Sequence, residues 1–383
     1  MAIAPINRPT VAKIDLDNLA SNYHSSRSFI GNEIRHMAVV KANAYGHGAV
    51  ECARRLDDEG VDWLGVALAE EGIELREAGI EKPILCLGSF WVGQEDVLLD
   101  RQITPVIYQL DHAKAFDSAA RTRNVRADIH IKIDTGMGRI GVRFDEVKEF
   151  AAKLKESSNL NVDGLMTHFA SADDLAENEF TALQISRFYD AVDIFKNEGF
   201  DPTYIDLANS PGAVVHPNSR GNMVRLGGIL YGLGGDILPK NVDKPVLRPV
   251  LSLTSQITHL KRVPSGETLG YGRTFTTERD SVIAIIPIGY HDGYRRGLSN
   301  RAKVIINGVY APVSGRISMD WTLVDVTDIG NAKCGDEVIL IGEQNGLAVA
   351  AEDLAATLDT ISYEITCGIS RRVERRFISR TAA

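Results

Sequence analysis

Along the first half of the chain, apolar residues come in short, nearly continuous runs rich in β-branched side chains. They fall at 35–41 (RHMAVVK), 62–67 (DWLGVA), 83–87 (PILCL), 103–107 (ITPVI), 127–133 (ADIHIKI), 161–167 (NVDGLMT), 203–207 (TYIDL) and 222–226 (NMVRL). Runs of this length without alternation read as strands buried on both faces. Between them lie helical patterns such as AVECARRLDDEG, EEGIELREAG and TALQISRFYDAVDIFKNEG, several ending at glycine. Eight strands alternating with helices predict a (β/α)8 barrel of parallel strands over residues 1–242. A doubly wound open sheet shares the alternation and is the competing reading.

From about Leu247 the pattern changes. VLSLTSQITHLKRV, SVIAIIPI, AKVIING, TLVDVTDI and DEVILIG follow one another closely, separated by turn residues such as PSGE, ING and CGDE. Only AEDLAATL reads as helical. Residues 243–383 are therefore expected to form a mostly antiparallel β domain. The Gly- and Pro-rich stretch LGGDILPKNVDKP marks the boundary, near Asp236–Leu247.

Composition narrows the class. Of 383 residues, 44% are hydrophobic and 24% charged, as in an ordinary globular enzyme. A formal net charge of −9 argues against a general nucleic-acid binder, which needs a basic face to replace counterions. The N-terminal stretch MAIAPINRPTVAKID has no signal-like apolar run, and VIAIIPI is only strand-length. Cys52, Cys86, Cys334 and Cys367 form no CxxC pair, so neither a metal site nor a disulfide framework is expected. Together these features predict a cytoplasmic protein with no membrane partner.

Barrel enzymes gather their chemistry at the C-terminal ends of the strands. Lys41 ends the first run, Arg139 follows the fifth, and His168 ends the sixth. Asn209 and Ser210 follow the seventh; Arg225, Gly227 and Gly228 end the eighth. A lysine desolvated at a barrel mouth has a lowered pKa and a nucleophilic amine. The loops after strands seven and eight commonly cradle a phosphate. For each position a plainer reading stands beside the chemical one. Lys41 and Arg139 have surface readings, His168 a core reading, and LGG the reading of a tight turn. In the β domain, LGYGRTF around Tyr271 also reads as a hairpin turn, and GRISMDW around Met319 and Asp320 as a strand. Residue types alone lead to a barrel enzyme with a phosphate-bearing ligand and a candidate Schiff-base lysine.

The segment VVKANAYGHG resembles the cofactor-lysine segment of the alanine racemases. KIDTGMGRIG, HFA, ANSPG, VRLGG, LGYG, GYHDGYRR, GRISMD and YEITCGISRRV resemble that family's other landmarks, in the same order. The resemblance implies a fold-type III enzyme that uses pyridoxal 5′-phosphate and acts as a head-to-tail homodimer with shared active sites. It implies that Lys41 carries the cofactor as a Schiff base. Tyr45, Ser210, Tyr363 and the backbone at Gly227 and Gly228 would hold its phosphate. Arg225 would meet the pyridine nitrogen, with His168 beside it. Arg139 and the backbone of Met319 would hold the substrate carboxylate. Lys41 and Tyr271, the latter from the other subunit, would be the two bases at Cα of L- and D-alanine. Lys132 matches a position often carbamylated, Tyr290 an entry-channel position, and Asp320 lies beside Met319. D-alanine for peptidoglycan would be the product. Gly228 stands where a larger residue is common, and Glu374 where proline is common. Two other activities remain: a racemase of broader range, and a fold-type III decarboxylase, against which Arg225 argues. A pyridoxal-phosphate-binding protein without activity is disfavoured by the matching motifs of the β domain.

Overall fold

The computed structural model describes residues 8–379. The opening residues 1–7, part of the stretch read above for a signal sequence, lie outside the described residues. The chain divides into two compact units: one joins residues up to Asn18, Tyr45–His47 and Pro249 onward, and the other holds Leu19–Ala44 and Gly48–Arg248.

The unit of residues 19–248 is a closed barrel. After β1 (Val11–Asp15), which belongs to the other unit, come β2 (Arg35–Val39), β3 (Trp63–Val66), β4 (Ile84–Cys86), β5 (Ile103–Ile107) and β6 (Ala127–Asp134). A short β7 (Val142–Arg143) leads to β8 (Leu160–Met166), β9 (Tyr204–Asp206) and β10 (Met223–Leu226). Each barrel strand pairs in parallel with the next, and β10 pairs with β2 to close the ring. All eight strands sit where the uninterrupted apolar runs predicted them, and closure rejects the open sheet. The interior is packed by Met37, Trp63, Leu85, Val106, Met166 and Met223, one from each of six strands. Side chains fill the ring as a solid core, so chemistry is confined to its rim.

A histidine is sealed among these side chains. His130 is fully buried, its ring 5.5 Å from that of Trp63 and 5.6 Å from that of Tyr204. Burial drives its pKa down to about 3, so it stays neutral. Gly164 on β8 makes room for it, since a Cβ there would stand 2.5 Å from the imidazole.

The other unit is built on β1 and β11 (Leu251–Gln256), β12 (His259–Val263), β13 (Thr268–Leu269), β14 (Phe275–Thr276), β15 (Ser281–Ile286) and β16 (Lys303–Ile306). It continues with β17 (Val309–Pro312), β18 (Thr322–Asp325), β19 (Glu337–Gln344), β20 (Leu347–Val349) and β21 (Glu374–Ile378). Its main sheet runs β17-β16-β19-β11-β1-β21, with β20 added to β19. Pairing there is antiparallel except for β1 with β21. β12-β15-β18 and β13-β14 form two smaller sheets. Val11–Asp15 thus lies in this unit's sheet, flanked by β11 and β21, whereas the sequence pattern places it with the barrel. A second helix, Ser362–Cys367, follows the expected one at Ala351–Leu358; six residues are too few to show a helical period.

Among the described residues no helix is long and apolar enough to cross a membrane. All four cysteines are free, and no cluster of metal-ligating side chains occurs among the described residues.

Gly164→Ala should force the His130 ring against its neighbours and destabilise the barrel by about 1–3 kcal/mol. Urea unfolding would read this as a lower midpoint, and an unchanged midpoint would show that the ring has room to move.

Candidate active site

Lys41 follows β2 directly, at the C-terminal rim of the barrel. The backbone behind it is unusual. Ala42, Asn43, Ala44 and Tyr45 all have positive φ, between 52° and 55°, forming a left-handed turn without a single glycine. Such a turn costs roughly 1–2 kcal/mol per L-residue and persists only where neighbours hold it. Three contacts do so. The Ala44 N–H donates to the Val40 carbonyl at 2.8 Å, the Ala49 N–H to Asn43 Oδ1 at 2.8 Å, and the Ala42 N–H to Glu71 Oε1 at 2.6 Å.

Around Lys41 the barrel rim gathers positive charge. Lys132 lies near the end of β6 and is buried, and its pKa falls to about 7. Desolvation is the main cause, followed by the positive fields of Arg225, Arg139 and Lys41. Its amine is therefore substantially neutral near neutral pH. His168 is pushed well below the usual imidazole range, first by burial and then by the same cations with Lys132 added. A small concavity beside it is lined by Lys132, Ile133, Asp134, Met137, Arg139 and Ile140. Arg139 is exposed there, at the end of the glycine turn that follows β6.

Arg225 is 3% exposed and is held on two sides. Its Nη1 pairs with the Asp206 carboxylate and also donates to the Asp206 carbonyl at 3.3 Å. Its Nη2 donates to the carbonyls of Thr167 at 2.8 Å and Leu207 at 3.2 Å, and to His168 Nδ1 at 3.3 Å. With Nδ1 accepting, neutral His168 carries its proton on Nε2. The one guanidinium nitrogen with no hydrogen bond among the described residues is Nε. Asp206 is fully buried, and desolvation raises its pKa while Arg225 opposes that rise. Its Oδ2 has no hydrogen-bond partner among the described residues.

Ser210 begins the helix Ser210–Val215, capped by Asn209 Oδ1, which accepts the Gly212 N–H at 3.0 Å. The Ser210 hydroxyl accepts the Gly227 N–H at 2.9 Å and keeps its own proton to donate. Gly228 opens a 3-10 turn, Gly228–Tyr231, whose first N–H groups have no partner within the turn. This donor set suits a phosphate, and Lys41 with the vacant Nε of Arg225 suits an aldehyde-bearing heteroaromatic ring.

In the β-rich unit the remaining residues form two groups. Tyr45 packs against Tyr363 at 5.1 Å, edge to face. Tyr271 is 69% exposed on a turn between Gly270 and Gly272, both with positive φ, and it borders a groove of about 350 Å³ with Arg316, Ser318 and Trp321. Met319 and Tyr290 are also exposed. Their loops are tied together: the Tyr290 N–H donates to the Ser318 carbonyl at 3.0 Å and the His291 N–H to the Met319 carbonyl at 3.2 Å. Gly289 permits this approach, because a Cβ would stand 2.3 Å from the Ser318 and Met319 carbonyl oxygens. Asp320 accepts Arg372 Nη2 at 2.8 Å.

Comparison with known proteins follows this geometry. Residues 14–234 match the model of the alanine racemase N-terminal domain, and residues 250–377 that of the C-terminal domain. The chain belongs to the alanine racemase family. An alanine racemase of Geobacter sulfurreducens is 43% identical over 378 residues, spanning 97% of this chain and 98% of that protein. The solved alanine racemase of Clostridium difficile 630 superposes with a TM-score of 0.92 at 39% identity, covering 98% of this chain and 97% of its own. That of Bartonella henselae, solved with covalently bound pyridoxal phosphate, gives 0.87 at 28% identity, covering 97% and 99%.

One residue at this racemase-family site escaped the sequence reading. Asp206 was passed over as part of the strand TYIDL, although a lone carboxylate in a doubly buried strand is itself a signal.

The depressed Lys132 amine makes a signed prediction for the cofactor-free chain. Between about 7 and the ordinary lysine value of 10.5 the unfolded chain binds a proton that the folded chain does not. Stability should therefore rise with pH across that window. Lys132→Met should be more stable than wild type below pH 7, with the difference shrinking toward pH 10. A difference in unfolding free energy that ignores pH would contradict the assignment.

Proposed function

We propose that the chain interconverts L- and D-alanine by two-base proton transfer, with pyridoxal 5′-phosphate bound at Lys41. The observation that carries this reading is that Lys41 and Arg225 both act on Lys132 and His168 at one barrel rim, with Arg225 held by Asp206 and His168 and its Nε left over. Tyr45, Ser210, Tyr363 and the backbone of Gly227 and Gly228 would hold the phosphate, and Arg225 Nε the pyridine nitrogen. When bound, the cofactor supplies a sink for the electron pair left at Cα.

The chain's own groups then do the rest. Arg139 and the backbone of the partner subunit's Met319 hold the substrate carboxylate and fix the plane of Cα. Lys41 takes or returns the Cα proton on one face, and the partner subunit's Tyr271 does so on the other. D-alanine loses its proton to Lys41, L-alanine to the partner's Tyr271. A free phenol has a pKa of about 10, so that tyrosine needs a donor to act as a base. Neutral His168 meets the need through Nε2–H rather than as a cation. Arg225, locked to Asp206, keeps its proton, so the pyridine nitrogen receives none. The electron sink stays modest, which favours return of the proton to Cα and disfavours the decarboxylase reading. Lys132, with its neutral amine, can add carbon dioxide at nitrogen with loss of a proton, giving an anion to position Arg139.

Head-to-tail homodimers follow from the requirement that Tyr271 and Met319 serve a neighbouring site; their exposure in the single chain agrees with this. Tyr290 and Tyr363 would narrow the entrance and favour small side chains, with Asp320 in the same segment as Met319. A cytoplasmic supply of D-alanine for peptidoglycan fits the activity.

Lys41→Ala should abolish both the visible absorbance of bound cofactor and racemisation. Tyr271→Phe should lower racemisation in both directions by about 10²–10⁴-fold, as detailed balance requires, yet D-alanine should still lose its α-deuterium to water while L-alanine does not. Absorbance that survives in Lys41→Ala, or equal washout from both enantiomers in Tyr271→Phe, would refute the assignment.

A further inference from the structure

Glu71 has no part in the roles above, yet both of its carboxylate oxygens are engaged. Oε2 accepts the N–H groups of Ala67 at 2.7 Å and Leu68 at 3.3 Å. Those bonds cap the helix Ala69–Glu77 from its third position, where an acidic residue reaches back to the N-cap backbone. Elsewhere in this chain aspartate suffices for that task. Asp353 accepts the Ala350 N–H at 2.9 Å, and Asp292 the Gly289 N–H at 3.0 Å. Capping therefore explains one oxygen and does not require the longer glutamate stem. The extra methylene carries Oε1 to the Ala42 N–H, the first amide after Lys41. Ala42 is exposed, so without Glu71 this amide would face water.

We propose that Glu71 is a positioning residue for Lys41. By holding the Ala42 N–H it pins the first of four left-handed residues, and with it the direction in which the Lys41 side chain leaves the barrel rim. The four residues have no glycine to make the conformation easy, so the anchored first amide adds to the Ala44 and Asn43 contacts in keeping the turn from relaxing toward the right-handed well. The proposal rests on the reading that Lys41 carries the cofactor. A lysine that must be displaced by substrate, act as a base and then return needs its backbone fixed, because small misplacements of a reacting group cost about 10²-fold in rate.

Glu71→Asp separates the two tasks, since aspartate at this position can cap the helix and cannot reach Ala42. Glu71→Gln is the second variant, with one oxygen where two are needed. Amide hydrogen exchange on the holoenzyme should show Ala42 exchanging at least about tenfold faster in Glu71→Asp, with Leu68 still protected. Visible absorbance should be lost several-fold faster on dilution, and kcat should fall about 10–100-fold with KM nearly constant. Unchanged exchange at Ala42 would overturn the proposal. So would faster exchange with cofactor release and kcat unaltered, because Glu71 would then be only a cap. A wild type without visible absorbance would instead break the cofactor reading, and amide exchange alone would then decide whether Glu71 holds the turn.

Discussion

Concentrating like charge in a dry place is costly, and the barrel rim of this chain does it deliberately. Lys41, Arg139 and Arg225 all bear on Lys132 and His168, with Asp206 the buried carboxylate among them. The cost is relieved in two ways. Lys132 and His168 give up their protons readily, and Arg225 is neutralised by Asp206 and by three backbone carbonyls beyond it. Removing one partner of such a buried pair costs about 3–5 kcal/mol, because the survivor is stranded. An anionic ligand is the remaining source of compensation, and on the proposed reading a phosphate-bearing cofactor with a carboxylate substrate would provide it twice.

That electrostatic arrangement decides what each group can do. On the proposed reading, an arginine at the ring nitrogen would withhold its proton and so keep the chemistry at Cα mild and reversible. His168 cannot be a cation in this field, so its contribution is an oriented N–H. Lys132 is the amine whose proton this field loosens, to about 7. Reaction choice is therefore written less in the reacting groups than in the charges that surround them.

Much of this was readable before any coordinates. The eight barrel strands announced themselves because parallel strands are buried on both faces and cannot hide their composition. Lys41, Arg139, His168, Ser210 and Arg225 stood out because they break those apolar runs at the catalytic end. Other features were hidden for physical reasons. Val11–Asp15 pairs with Leu251–Gln256 and Glu374–Ile378, partners so distant in the chain that no local pattern could reveal them. The left-handed turn after Lys41 contains Ala, Asn, Ala and Tyr, none of which advertises positive φ as glycine would. Asp206 acquires meaning only through Arg225, nineteen residues later. Long-range pairing and backbone strain are properties of the assembled fold, and a linear reading meets them last.

The central claim is that two different groups, one on each face of Cα, handle the proton. It is tested most directly by running the wild-type enzyme in heavy water on L-alanine and on D-alanine separately, stopping within the first few per cent of conversion, and reading Cα by NMR. Two bases predict product alanine carrying solvent deuterium from either starting enantiomer, because the proton removed on one face is not the one delivered on the other. Product that retained the substrate's own proton would mean a single base serving both faces and would contradict the account.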